Sequence, residues 1–309
     1  MKKVIVFGSI NMDLVVSVAD FPKTGETILS KQHQWFPGGK GANQVVAVRR
    51  LGGEVSMVGK IGDDYLAQSA VNVLHKENIN TCLLKTVKGV STGLAIIQVD
   101  TQGQNTIVVS PGANGIWPES AEDIDSMLNE CDLAVLQLEI PVAVAGKIMQ
   151  RAKMKGVYTV LNAAPASIDV IPFLPEVDLL IVNETETAIL SGEKNISAAN
   201  INQAISRLTK LGSREIIVTL GENGCVVFTG GNYHALSSYR VKAVDSTAAG
   251  DTFVGAVVAR LCEGDNILEA SRWAVAAGAL TVTRLGAQAS IPTKKEVDEF
   301  LRNGVLGLC

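Results

Sequence analysis

Apolar and polar positions alternate along this chain in blocks that read as strands and helices in turn. A short apolar run, Val4 to Phe7, predicts a strand buried on both faces. Two extended stretches follow, Leu14 to Val18 and Thr27 to Phe36, the second mixing polar and apolar residues. The turn Gly38-Gly39-Lys40-Gly41 opens a helix that runs to Leu51, where Gly52-Gly53 ends it. Strand Val55 to Val58 and a helix beginning near Asp63-Asp64 complete a βαβ-like unit. Three β-rich runs then follow one another without a helix between them: Cys82 to Val87, Leu94 to Val99 and Thr106 to Val109. Strand-only insertions in an alternating chain predict a small separate sheet. Alternation resumes with a helix near 120–130, strand Leu133 to Leu138, helix 142–154, and strands Tyr158 to Leu161 and Leu179 to Val182. After a helical pair come Ile216 to Leu220 and a hairpin-like stretch, Cys225 to Tyr239. Helices at about 250–262, 266–283 and 293–302 close the chain. The expectation is one α/β domain over 1–309, with a parallel-rich sheet and a small β-lid drawn from about 13–37 and 90–112.

Composition narrows the class. The chain has 309 residues, enough for a large core, with 47% hydrophobic and 19% charged residues, which suits a globular enzyme. Net charge is -4, without the clustered Lys and Arg that a nucleic-acid surface needs. Cys82, Cys131, Cys225, Cys262 and Cys309 are odd in number and form no CxxC, so reduced cytoplasmic thiols are expected, most of them buried. The N-terminal apolar run is too short for a signal peptide, and Gln137 and Glu139 interrupt the best candidate for a membrane span.

Candidate chemistry gathers at the ends of strands. The strongest signal is Asp245 to Phe253, in which the small residues Ala248, Ala249 and Gly250 lead into a helix with Phe253, Val257 and Leu261 on one face. Such a start exposes unpaired N–H groups that hold an anion. Asp251 then serves either as a base beside that anion or as an ordinary helix cap. Gly38 to Asn43 looks like a phosphate loop but lacks Ser or Thr after the lysine, leaving a tight turn or a place where Asn43 meets a polyhydroxylated ligand. Asn11 and Asp13 follow the first strand, where open α/β sheets bind ligands, and suit either sugar hydroxyls or a turn. Glu139, Asn183 to Glu186 and Thr219 to Gly224 follow further strands; the last two also fit a helix cap and a hairpin turn.

In this order, these elements resemble the ribokinase family of PfkB-type carbohydrate kinases, from Gly8 to Pro292. The resemblance implies a doubly wound, mostly parallel α/β sheet flanked by helices, with a β-lid through which members commonly form homodimers. Gly8 to Asp13, Gly38 to Asn43, Gln137-Leu138-Glu139 and Arg284 to Gln288 match best the members that phosphorylate ribose. The implied reaction is ATP-dependent transfer to the 5-hydroxyl of D-ribose. Alternatives on the same fold are a kinase of 2-deoxyribose, a ketohexose, a sugar acid or a nucleoside, and a non-catalytic sensor. By position, Asp251 is the implied base, and Ala248, Ala249 and Gly250 form the anion hole. Asn11, Asp13, Gly39, Lys40, Asn43 and Glu139 would hold the sugar. Asn183, Thr219, Gly221, Gly224 and Gly250 would contact ATP, with Glu186 on the Mg2+–phosphate network. A K+ ion is implied at Asp245, Thr247, Thr281, Arg284, Gly286 and Ser290, several through carbonyls. The chain departs from the family at Asn162-Ala163-Ala164-Pro165, where a first proline is common, and at Val275, where members can carry a polar residue near the adenine.

Overall fold

A computed structural model describes residues 2–117 and 120–305; Cys309 lies outside the described residues. Strands β1 (Lys3–Phe7), β2 (Asn11–Ser17) and β3 (Gln32–Gly38) precede helix α1 (Lys40–Arg50), β4 (Glu54–Gly62) and α2 (Tyr65–Lys76). Then come β5 (Asn80–Val87), β6 (Gly93–Val99), β7 (Asn105–Ser110), α3 (Ala121–Leu128), β8 (Leu133–Leu136), α4 (Val142–Met154), β9 (Tyr158–Asn162), β10 (Leu179–Asn183) and α5 (Glu184–Ser191). The remainder is α6 (Ile201–Lys210), β11 (Glu215–Thr219), β12 (Cys225–Thr229), β13 (Asn232–Leu236), α7 (Ala249–Glu263), α8 (Ile267–Thr281) and α9 (Lys294–Val305).

The main sheet has nine strands in the order β13-β12-β11-β10-β9-β8-β1-β4-β5. The pairs from β11 through β5 are parallel, and β12 and β13 add an antiparallel hairpin at one edge. The continuous apolar runs follow from helices covering both faces. Val4 and Val6 of β1 pack into a core with α1, α7 and α8, while Ile5 and Phe7 face a second core with α3, α4 and α6. The period-two alternation of one strand thus serves two cores.

From β1 the chain winds outward through β4 and β5, then returns to place β8 on the other side of β1. Strand order reverses between β1 and β8, and in such sheets the crevice at the carboxyl ends there is where ligands bind. A second sheet, β3-β2-β6-β7, rises from that crevice. It is fed directly by Gly8-Ser9-Ile10 at the end of β1.

Two expectations need correcting. The run from Cys82 does not join the small sheet; β5 pairs parallel with β4 as the edge of the large one, with a register shift between Ser56 and Val58. An edge strand covered on one side keeps a mixed polar pattern, which mimics a half-exposed lid strand. The stretch from Thr27 becomes a strand only at Gln32, because residues 22–31 are largely exposed and turn through Gly25 at φ 81°.

Candidate functional site

The glycine turn before α1 is a packing device. A Cβ on Gly39, whose φ is 89°, would lie 2.8 Å from the Asn11 nitrogen, and one on Gly41 would lie 2.6 Å from the Ser9 nitrogen. Glycine therefore lets α1 start hard against the end of β1, where Ala42 N–H donates to the Ser9 carbonyl at 2.9 Å. The close approach draws Glu139 in from beyond β8: it accepts from Ser9 Oγ and, at 2.9 Å, from Lys40 N–H. Asn114 fixes the start of β2, bonding Ile10 on both backbone groups and donating to Asn11 Oδ1 at 2.8 Å.

Asp13 stands on β2 opposite Phe36, and its carboxylate reaches back over Gly38, where a Cβ would come within 2.1 Å of it. Its Oδ1 is buried without a hydrogen-bond partner among the described residues. Burial pushes this carboxyl up to about 7, and the nearby Glu139 and Asp251 add to the effect. A buried carboxylate oxygen without a donor is a ready acceptor for a ligand hydroxyl.

Asp251 is the third residue of α7, yet it does not cap that helix. Its Oδ2 accepts from Asn43 Nδ2 at 2.9 Å and its Oδ1 from Gln44 Nε2 at 3.0 Å, both on α1. The cap position is Ala248, in the left-handed region at φ 59°, with no side-chain cap. Ala249 N–H donates to Ser246 at 3.2 Å and Thr252 N–H to Ala248 at 2.8 Å. Among the described residues the N–H groups of Gly250 and Asp251 have no acceptor. A Cβ built on Gly250 meets nothing within 4 Å, so this backbone faces open space. Burial raises the Asp251 carboxyl, while Lys40, Asn43 and Gln44 act to lower it. Lys40 is held above its ordinary value chiefly by Asp251, with Glu139 and Glu186 contributing.

Two cavities meet at Gly250. One of about 250 Å³ is lined by Lys40, Asn162, Asn183, Glu186, Ala248 and Asp251, among others. The second, about 840 Å³, has Thr219, Gly221 and Gly224 on one wall and Phe253, Val275 and Val282 on another. Thr219, Ser246 and Gly250 line both. A small polar chamber thus opens into a larger, more apolar one, the shape expected for a phosphate chain attached to a flat ring. Asn183 and Glu186 form a full capping box on α5 and also line the polar chamber; burial raises the Glu186 carboxyl.

Asp245 holds together the loops before α7 and after α8. It accepts from Thr247 N–H at 2.9 Å, Thr247 Oγ1 at 2.6 Å and Gly286 N–H at 2.9 Å. The side chains of Thr281 and Ser290 donate to the Ala277 and Ala287 carbonyls, and Arg284 pairs with Glu296. No helix among the described residues is long and apolar enough to cross a membrane.

Gln44, Asn114 and Asn162, all of them buried, also brace the site, although no motif in the sequence marks them. The available signal was polarity in an apolar setting: Asn43 and Gln44 interrupt Ala42-Val45-Val46-Ala47-Val48 on a helix buried along that stretch.

Residues 1–294 match the model of the pfkB family carbohydrate kinase. The chain is 39% identical over 303 residues to a ribokinase of Haemophilus influenzae, covering 98% of this chain and 99% of that protein. It is 35% identical over 300 residues to a deoxyribokinase of Salmonella typhi, covering 96% and 97%. The solved structure of Arabidopsis thaliana ribokinase complexed with ribose and ATP superposes with a TM-score of 0.90 at 32% identity, covering 97% of this chain and 99% of that one. By a family match and relatives that both run nearly end to end, this chain belongs to the pfkB family of carbohydrate kinases.

Proposed function

We propose that this protein phosphorylates the 5-hydroxyl of D-ribose with ATP, giving D-ribose 5-phosphate and ADP. The observation that carries the reading is the Asp251 carboxylate, gripped on each oxygen by an amide beside an uncapped helix start. In this reading the sugar lies between the two sheets. Asn11, Asp13, Gly39, Lys40, Asn43 and Glu139 take its hydroxyls, and its primary hydroxyl points at Asp251. ATP occupies the paired cavities, with adenine in the larger one beside Gly221, Gly224 and Val275 and the γ-phosphate at Gly250.

Asp251 accepts the hydroxyl proton as the sugar oxygen bonds to the γ-phosphorus and the bond from that phosphorus to the β-phosphate oxygen breaks. The N–H groups at the start of α7 take the charge on the transferring group, with Ala248 and Ala249 setting the turn that presents them. Lys40 faces Asp251 and Glu186 across the chamber and balances negative charge there. The small sheet acts as the lid, excluding water as a competing acceptor.

The oxygen-rich lining near Glu186 fits Mg2+, a hard ion bound through one or two carboxylates and substrate phosphates. Mg2+ there would neutralise charge on the β- and γ-oxygens. The Asp245 carboxylate with oxygens of Thr247, Thr281, Arg284, Gly286 and Ser290, several of them backbone carbonyls, would offer an all-oxygen set suited to K+, which would firm up the loops flanking the helix start. Exposed Ile107, Val108 and Val109 on β7 with Trp35 on β3 give the lid an apolar surface that suits a homodimer contact. Free cysteines and a phosphorylated sugar product suit a cytoplasmic enzyme.

A second reading, 2-deoxyribose, is favoured by the deoxyribokinase relative. The two sugars differ by one hydroxyl, and a site that pairs it rejects the analogue without it. An ADP-release assay over ribose, 2-deoxyribose, fructose and a nucleoside, each with and without K+, tests the proposal. Ribose with the highest kcat/KM, raised further by K+, is the expected result; no sugar-dependent ADP release would overturn it.

A further inference from the structure

Asp251 is held by two buried amide arms, and each arm is itself aimed by a further amide. On one side Gln288 Nε2 donates to Asn43 Oδ1 at 3.3 Å, and Asn43 Nδ2 donates to Asp251 Oδ2 at 2.9 Å. On the other, Gln137 Nε2 donates to Gln44 Oε1 at 2.6 Å. Gln44 Nε2 then donates at 3.0 Å both to Asp251 Oδ1 and to Asn162 Oδ1. Asn162 Nδ2 finally donates to the Ile181 carbonyl at 3.2 Å. Gln44 and Gln137 are fully buried, and Asn43, Asn162 and Gln288 nearly so.

The direction of every bond in the Gln44 arm follows from the ionised carboxylate, which only accepts. Gln44 must present its NH2 to Asp251, so its carbonyl faces Gln137. Gln137 must then present its own NH2, which turns its carbonyl toward Gly8. A Cβ at Gly8 would lie 2.0 Å from that Gln137 Oε1, so glycine is what makes this orientation possible. Gln137 Oε1 has no donor among the described residues. A buried acceptor left unpaired costs stability, and the arrangement makes sense if the orientation of Gln44 is what it preserves.

We infer that Gln44 is a positioning residue for Asp251: aimed by Gln137 and braced on Asn162, its amide fixes the rotation of the carboxylate and holds it as an acceptor facing the substrate hydroxyl. Gln44 is fully buried, with its NH2 given to Asp251 and Asn162 and its carbonyl to Gln137, so it acts through Asp251 rather than on the substrate. The inference rests on the reading of Asp251 as the base. The other charged groups facing Asp251 are Lys40 on α1, Glu139 beyond β8, Asp13 on β2 and Glu186 on α5. All of these stay in place when Gln44 is replaced. Removing a donor to the ionised carboxylate raises its pKa, and a base works only when ionised. The acid limb of the kcat–pH profile therefore moves to higher pH.

The test uses the full chain with saturating ATP, Mg2+ and K+, comparing wild type with Gln44→Met, Gln137→Met and Asp251→Asn. Gln44→Met keeps the volume and removes the amide. Its kcat should fall about 10–100-fold, the range for one hydrogen bond to a charged group, with the acid limb displaced upward and KM for ribose within about threefold. Gln137→Met leaves Gln44 unaimed and should move the limb in the same direction with a smaller loss of kcat. It carries the test alone if Gln44→Met does not fold. An unmoved acid limb, or a raised KM with kcat intact, would overturn the assignment. Full turnover in Asp251→Asn would instead overturn the base reading itself. An inactive Asp251→Asn beside wild-type behaviour in both glutamine variants would remove only the role of Gln44.

Discussion

Helices α5 and α7 both begin on the rim of the same polar chamber, and both carry a carboxylate at their third position, yet the two starts are built in opposite ways. In α5 the carboxylate folds back. Glu186 Oε2 accepts from Asn183 N–H at 2.9 Å while Asn183 Oδ1 accepts from Glu186 N–H at 2.8 Å, so the helix end is closed by its own side chains. In α7 the carboxylate turns away to Asn43 and Gln44, the preceding Ala248 sits at φ 59°, and no side chain covers the free N–H groups. The first arrangement is worth about 1 kcal/mol of helix stability, whereas the second forgoes a cap and carries about 1–2 kcal/mol of left-handed strain. α7 tolerates that because it is the central helix of its layer, with Phe253 to Ala259 buried against α1 and α8. A carboxylate at the same helical position thus closes the helix end in one helix and leaves it open in the other, and the difference lies in the neighbours that claim it.

Parallel substitutions separate the two carboxylates. Asp251→Asn should lower ribose phosphorylation by about 10²–10⁴-fold with the thermal midpoint essentially unchanged. Glu186→Gln keeps a capping box, since Gln serves there as Glu does. That variant should stay within about tenfold of wild-type turnover at saturating Mg2+, while needing about 10–100-fold more of the ion. Steady-state kinetics with a Mg2+ titration reads both, and equal losses in the two variants would erase the distinction. At the small end, Asn183→Ala should cost about 0.5–2 kcal/mol in denaturant unfolding. No comparable cap exists at Ala248 to remove.

How much of this was legible in the sequence depends on whether a signal was local. Gly250-Asp251 ahead of a four-residue apolar repeat marks a helix start from sequence alone, and the strand–helix alternation follows from runs such as Val4 to Phe7. That Asp251 does not cap its helix was not legible, because the competitors for its carboxylate lie 207 and 208 residues away. Gln44 was hidden for the same reason: within α1 it is simply a polar residue in an apolar stretch, and its partners come from β9, α7 and the end of β8. β5 was assigned to the wrong sheet because its mixed pattern records exposure at an edge and says nothing about which sheet owns that edge.

On this reading the uncapped start of α7, not the capped start of α5, receives the transferring phosphoryl group. A crystal structure with ADP, Mg2+, ribose and a planar metal-fluoride mimic of that group tests it most directly. The mimic should accept hydrogen bonds from the Gly250 and Asp251 N–H groups, with the ribose primary hydroxyl between it and the Asp251 carboxylate. A mimic seated instead at Asn183 and Glu186, with Asp251 out of reach of the sugar, would contradict it.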